Sequence, residues 1–157
     1  MSHSTQSTEH VVYQETVWPS LLSTVPLAIL VPSIALVVTP FTDFVVATLA
    51  GACAFVLALL TVLSLAPKIR ISQGKDGLML FVNSAVISSD YISKIELVDR
   101  PRVRAERGPL LDARSFRAFQ PSVEGMVKIQ ISDESDRTPY WIFSTRNPKA
   151  IAEALKK

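Results

Sequence analysis

The sequence predicts an α+β membrane protein: an N-terminal two-helix transmembrane hairpin, then a small antiparallel β barrel or sandwich closed by a C-terminal helix. Three observations lead there. Two long apolar runs without charge fill most of the first 66 residues, and all 16 Lys and Arg residues lie at or after Lys68. The rest of the chain alternates apolar and polar side chains in short runs separated by turn residues.

A length of 157 residues suits a membrane anchor plus one small domain. Up to Pro67 the only acids are Glu9, Glu15 and Asp43, a net charge of −3, whereas the remainder sets 16 basic against 11 acidic residues, a net +5. Two unlike materials join near Pro67.

Residues 1–17 open with "MSHSTQSTEH" and are expected to form a disordered cytoplasmic tail. Residues 18–66 form the hairpin. The runs Pro19 to Phe41 and Phe44 to Ala66 each exceed the roughly 20 helical residues needed to cross a hydrocarbon core. The second carries twelve Leu, Val and Phe residues, each favouring insertion. Met1 to Trp18 holds no Lys or Arg to serve as the n-region of a signal peptide, so the first run is expected to be retained. Lys68, Arg70 and Lys75 follow directly on the second run, which places both termini on the cytoplasmic side of the cell membrane in a multi-pass topology. Trp18 stands where an indole suits the headgroup layer.

Pro26 and Pro32 interrupt the first run, each removing a backbone donor that lipid cannot replace. In the second, Ala50, Ala54 and Ala58 recur every four residues beside Ala47 and Gly51, a small-residue stripe that lets another helix approach closely. It is read as packing on the kinked first span, or as an interface with a homo-oligomer or membrane protein partner. Cys53, the single cysteine, permits no intrachain disulfide and reads as a small packing residue.

Residues 67–157 read as a cytoplasmic β domain. "KIRIS" alternates, "GKDG" turns, "LMLFV" is a short apolar run, and "YISKIELVD" and "VKIQIS" alternate again. After the polar turn "DESDRTP" comes "YWIFS", where Tyr140 and Ile142 point one way and Trp141 and Phe143 the other. A strand with one solvated face would alternate, so both faces of this one need a cover. The terminal helix follows, with Asn147 as N-cap, Pro148 at the first position and "KAIAEALKK" presenting Ala150, Ile151, Ala154 and Leu155 on one face.

Between the strands lies "DRPRVRAERGPLLDARSFRAFQPS", where Arg100, Arg102, Arg104, Arg107, Arg114 and Arg117 outnumber Asp99, Glu106 and Asp112. It reads either as a solvated, salt-bridged loop or as a contact with anionic lipid or a partner. No recognised motif accompanies the arginines, so nucleic acid is not expected as a partner. Tyr140, Trp141 and Phe143 join them as candidate contact residues.

No catalytic constellation, cofactor site or metal site is predicted. His3 and His10 sit in the tail, and neither a Gly-rich phosphate loop nor a nucleophile-elbow or metalloprotease pattern occurs. Ser144, Thr145 and Arg146 stand where a helix N-terminus attracts anions, but capping alone explains them.

A run of strands, then one helix, under a two-helix anchor resembles in arrangement the bacterial proteins with a pleckstrin-homology-like cytoplasmic barrel. The segments "YQETVWPS" and "DESDRTPYWIFSTRNP", with "LDAR" near Leu111 between them, resemble an actinobacterial family of two-span membrane proteins, domain of unknown function 3093. Glu134 and Arg137 stand where prolines are expected beside the acidic turn residues, which loosens the turn but not the strand. The resemblance implies no activity and no catalytic residue. Two roles follow as expectations: a non-catalytic accessory or scaffold subunit that binds a membrane protein through its β domain, or a membrane-anchored lipid- or anion-binding module of pleckstrin-homology-like form.

Overall fold

The computed structural model describes residues 10–75, 77–133 and 136–156, and the chain divides into two compact units. One is Trp18–Ala66; the other combines the segments on either side of it.

The Trp18–Ala66 unit is helical. Its first run is α1 (Leu21–Thr24), a 3-10 segment Val25–Ile29, α2 (Leu30–Val38) and a second 3-10 turn Thr39–Phe41; its second is the continuous α3 (Phe44–Ser64). Prolines explain the difference. Pro26 and Pro40 each open a 3-10 segment, where the missing N–H costs least, while the second run has no proline. Both runs span 21 residues with mean hydropathies of 2.4 and 2.5, long and apolar enough to cross a membrane. α2 packs against α3. At the crossing a Cβ on Gly51 would stand 2.5 Å from the Val31 carbonyl oxygen, so only glycine permits this approach. Thr39, Thr48 and Thr61 turn their hydroxyls back onto the carbonyls of Ala35, Phe44 and Leu57, which satisfies them within their own helical turns. The outer surface is the reverse of a soluble protein's, with Leu21, Leu22, Leu36, Phe41, Phe44 and Leu57 all more than 60% exposed.

The second unit contains two four-stranded sheets. The first has the order β1 (His10–Thr16), β2 (Lys68–Gly74), β3 (Gly77–Val82), β4 (Ala85–Ser88), all antiparallel. The β3–β4 turn places Asn83 at φ 56°, a left-handed position that asparagine tolerates, and its side chain accepts from the Lys68 N–H at 2.9 Å. The second sheet has the order β5-β7-β8-β6, from β5 (Ile92–Val98), β6 (Phe116–Ala118), β7 (Met126–Ile131) and β8 (Tyr140–Ser144). β6 lies parallel to β8 and the other pairs are antiparallel. Two short helices complete the unit, α4 (Arg100–Glu106) and α5 (Pro148–Ala154).

Two expectations are corrected here. Of the barrel or sandwich expected, the described residues form no closed barrel but two separate sheets; the chain leaves β4 through a 3-10 turn, Ser89–Tyr91, pinned by Ser88 Oγ accepting from the Asp90 N–H. Residues 10–16, expected in a loose tail, form β1. Its β-branched and aromatic residues favour extension, and the register shift between Val11 and Tyr13 breaks the alternation that would have revealed it. Residues 1–9 lie outside the described residues.

The main core lies between the sheets, with Ile69, Ile71, Leu80 and Val82 facing Val127, Ile129, Trp141 and Phe143. Ile151 and Leu155, the apolar face of the terminal helical segment, join it. A second core lies on the far side of the β7–β8 pair, formed by Val98, Val103, Met126, Tyr140 and Ile142 with Leu111 and Phe119.

Candidate functional site

The second core says what covers strand β8. All five of its residues are buried: Trp141 and Phe143 enter the main core, and Tyr140 and Ile142 enter the second. The cover over the latter pair is the arginine-rich segment itself. Its Val103 comes down from α4, and Leu111 and Phe119 follow from the next turns. The Tyr140 hydroxyl accepts from the Asp112 N–H at 2.8 Å and lies 3.4 Å from the Leu110 carbonyl, tying strand to cover. Trp141 packs on Phe116 with ring centroids 4.6 Å apart at 42°. Tyr140, Trp141 and Phe143 are therefore interior residues, a correction to their reading as lipid or partner contacts.

The six arginines divide sharply. Arg107 folds inward and donates to the carbonyls of Gln120, Pro121 and Val123 and to Ser144 Oγ, with its plane 5.8 Å from the Phe119 ring centroid. Its Nε is buried without a hydrogen-bond partner among the described residues, and burial lowers the guanidinium's pKa. Arg102 donates at 2.8 Å to both Glu96 and Glu106, and the hydrogen bond to Glu96 leads in raising its pKa. Glu106, 1% exposed, also accepts from Lys128 at 2.9 Å, and that ammonium lies 4.2 Å over the Tyr140 ring. Arg114 grips Asp112, whose carboxyl it holds below the usual range. Arg100 meets Glu124 at 3.2 Å with both side chains exposed. Only Arg104 and Arg117 are exposed with no ion pair to a described residue.

The start of α5, where an anion was conceivable, holds an anion of the chain's own. Glu15, at the end of β1, accepts from Thr145 Oγ1 at 2.6 Å, the Arg146 N–H at 2.8 Å and the Tyr13 hydroxyl at 2.7 Å. Burial, then the bond to Glu15 and its charge, push Tyr13 up to about 12. Asn147 takes the N-cap position but makes no side-chain cap; its N–H donates to Thr145 Oγ1 at 3.1 Å. Beside this corner an open groove of about 670 Å³ carries Arg100, Arg146 and Lys149 opposite Asp99, Glu124 and Glu153, a balanced mixture of charge. Its residues come from three separate stretches of chain, so no local pattern pointed to it.

In the helical unit, Ala47 and Gly51 are buried and Ala50, Ala54 and Ala58 half-buried, whereas Cys53 is exposed on α3 rather than packed. His10 is exposed on β1, and His3 lies outside the described residues. Among the described residues no group of three or more His, Cys, Asp or Glu is arranged to hold a metal ion.

A family model described as a protein of unknown function, DUF3093, matches residues 12–155. Neither the curated proteins nor the solved structures yield a match.

Proposed function

From the premise that the chain belongs to the DUF3093 family, matched from β1 to the terminal helix, we propose that it is a two-span integral protein of the cell membrane with both termini cytoplasmic. In this reading its β unit is a non-catalytic body that serves a membrane protein complex as an accessory or scaffold subunit. One observation carries the same-side topology. β1 precedes the first apolar run and β2 follows the second, yet the two strands pair from His10↔Gln73 to Thr16↔Lys68. Strands that share a ladder share a side of the bilayer, so the chain crosses an even number of times. The excess of basic residues after the second run makes that side the cytoplasm. The outward-facing Leu and Phe side chains of the helical unit support burial in lipid, since leaving so much apolar surface in water is costly.

A non-catalytic role is supported by where the polar side chains go. Glu15, Glu106 and Thr145 direct their hydrogen bonds inside the protein, as do the terminal nitrogens of Arg107. Two packed sheets with a C-terminal helix favour kinship with pleckstrin-homology-like domains. The test is alkaline carbonate extraction of membranes, with tags on each end probed in intact cells, followed by mild-detergent purification and mass spectrometry. Retention in the membrane, two protected tags and a stoichiometric membrane protein companion are expected. Release by carbonate, or a tag reachable from outside, defeats the membrane reading; a clean monomer under crosslinking defeats the accessory role.

A further inference from the structure

We propose that the pocket between α4 and the turn at Pro121 binds a phosphate group through Arg100, Arg104 and Arg107. It is open, with a volume of about 370 Å³. The three arginines stand at positions i, i+4 and i+7 along α4 and its C-cap, so they share one face of the helix, with the buried Val103 between them. Like charges at these spacings repel one another.

The three differ in what they already meet. Arg104 is exposed and makes no ion pair with a described residue. Arg107 is half-buried, and every acceptor on its terminal nitrogens is neutral: the carbonyls of Gln120, Pro121 and Val123 and the Ser144 hydroxyl. These bonds fix the guanidinium in place without cancelling its charge, and Nε has no partner among the described residues. Burial leads in lowering its pKa, as it does for a cation short of a counter-ion. Arg100 meets Glu124 at 3.2 Å, but with the two side chains 84% and 67% exposed that pair contributes little and opens readily.

Glu124 is the one acid among the described lining residues, set against three arginines, which leaves the pocket a net +2. The larger groove beside α5 has no such imbalance, with three basic and three acidic residues. A phosphomonoester carries about −1.5 to −2 near neutral pH, and its three oxygens can accept from more than one guanidinium. A lone carboxylate would leave half of the pocket's charge unmatched. A lipid headgroup ending in a phosphomonoester and a free phosphate compound offer the same chemistry, and the test separates them. The site lies wholly within the β unit, so its failure leaves the membrane reading standing.

The test is calorimetric titration of the detergent-purified full chain with inorganic phosphate, at an ionic strength held constant with chloride. Saturable binding of one phosphate per chain is expected. Arg104→Gln should weaken it about tenfold, the low end for losing a hydrogen bond between charged groups. Arg117→Gln removes an equally unpaired arginine on β6 that does not line the pocket, and should leave binding unchanged. Glu124→Gln removes the competing acid and should tighten binding. All three side chains are exposed, so the variants should fold, which an unchanged melting midpoint verifies. No saturation by about 10 mM phosphate, equal losses from Arg104→Gln and Arg117→Gln, or weaker binding by Glu124→Gln overturns the proposal. The titration is then repeated in nanodiscs of phosphatidylcholine, alone or with phosphatidic acid. Phosphate binding lost only with phosphatidic acid assigns the site to a lipid headgroup; binding kept in both assigns it to a soluble phosphate compound.

Discussion

Substituting Glu15 tests the way the N-terminal strand is locked to the C-terminal helix. Glu15→Ala strips the acceptor from three donors at once: Tyr13 OH at 2.7 Å, Thr145 Oγ1 at 2.6 Å and the Arg146 N–H at 2.8 Å. Hydrogen bonds to a charged group contribute about 1.5–3 kcal/mol each when buried. Because the Glu15 side chain is only half-buried, water can replace part of the loss, and about 1 kcal/mol per bond is the better figure. The expected destabilisation of the β unit is then about 3 kcal/mol, or roughly 15 °C in melting midpoint for a unit of this size. Trp141, buried against Phe116, is the natural probe once Trp18 has been replaced by Phe, and its fluorescence can be followed through thermal unfolding in detergent. Thr145→Val removes two bonds, the one it donates to Glu15 and the one it accepts from the Asn147 N–H, and should cost about two thirds as much. The same corner predicts a pH response. The Tyr13 pKa is raised in the folded state to about 12 from 10.0, so the neutral phenol is favoured by folding. That stability is fully present below pH 10 and declines as pH rises towards 12, and Tyr13→Phe should flatten the decline. A Glu15→Ala protein melting within about 2 °C of wild type, or a Tyr13→Phe protein with an unchanged alkaline profile, refutes the lock.

Other substitutions test the remaining supports. Glu106→Ala leaves the mostly buried Lys128 ammonium without its carboxylate, while half-exposed Arg102 keeps Glu96, and should cost roughly 3 kcal/mol, read by the same melt. Ile142→Ala, at a fully buried site in the second core, should cost roughly 2–5 kcal/mol. Gly125→Ala drives a methyl group into the Thr145 carbonyl oxygen, so it should lower soluble yield or melting midpoint more than any surface change, as a detergent-purified melt would record. Gly51→Val should separate α2 from α3, seen as lost crosslinking between cysteines introduced across the two helices, because the Val31 backbone already occupies the space.

What could be read from the sequence was whatever is periodic or compositional over a short window. The apolar runs announce themselves by length, and "VKIQIS" and "KIRIS" by alternation. Helix α4 could not be found that way, since Val103 and Ala105 are its sole apolar members past Pro101 and seven residues offer no repeat. β1 was hidden by its bulge and by depending wholly on a partner strand beyond both apolar runs. A fragment beginning at Lys68 therefore lacks both a sheet edge and the Glu15 lock. It should unfold well below a version in which residues 10–17 are joined to it by a flexible linker, by the same Trp141 melt.

The hardest feature to read was the relation between the two most conspicuous segments. Strand β8 declared that both its faces needed cover, and the arginine stretch read equally as a salt-bridged loop or as a contact with lipid or a partner. In the fold they satisfy each other. Val103, Leu111 and Phe119 supply the apolar cover, while Arg102, Arg107 and Arg114 supply the bonds that hold the covering segment in place. Arg107 reaches Ser144, 37 residues further on, and Arg102 meets Lys128 only through the shared Glu106 carboxylate. Such pairings are set by tertiary proximity, which local spacing does not encode. It follows that the number of arginines in a stretch is a poor guide to the charge it shows to the outside.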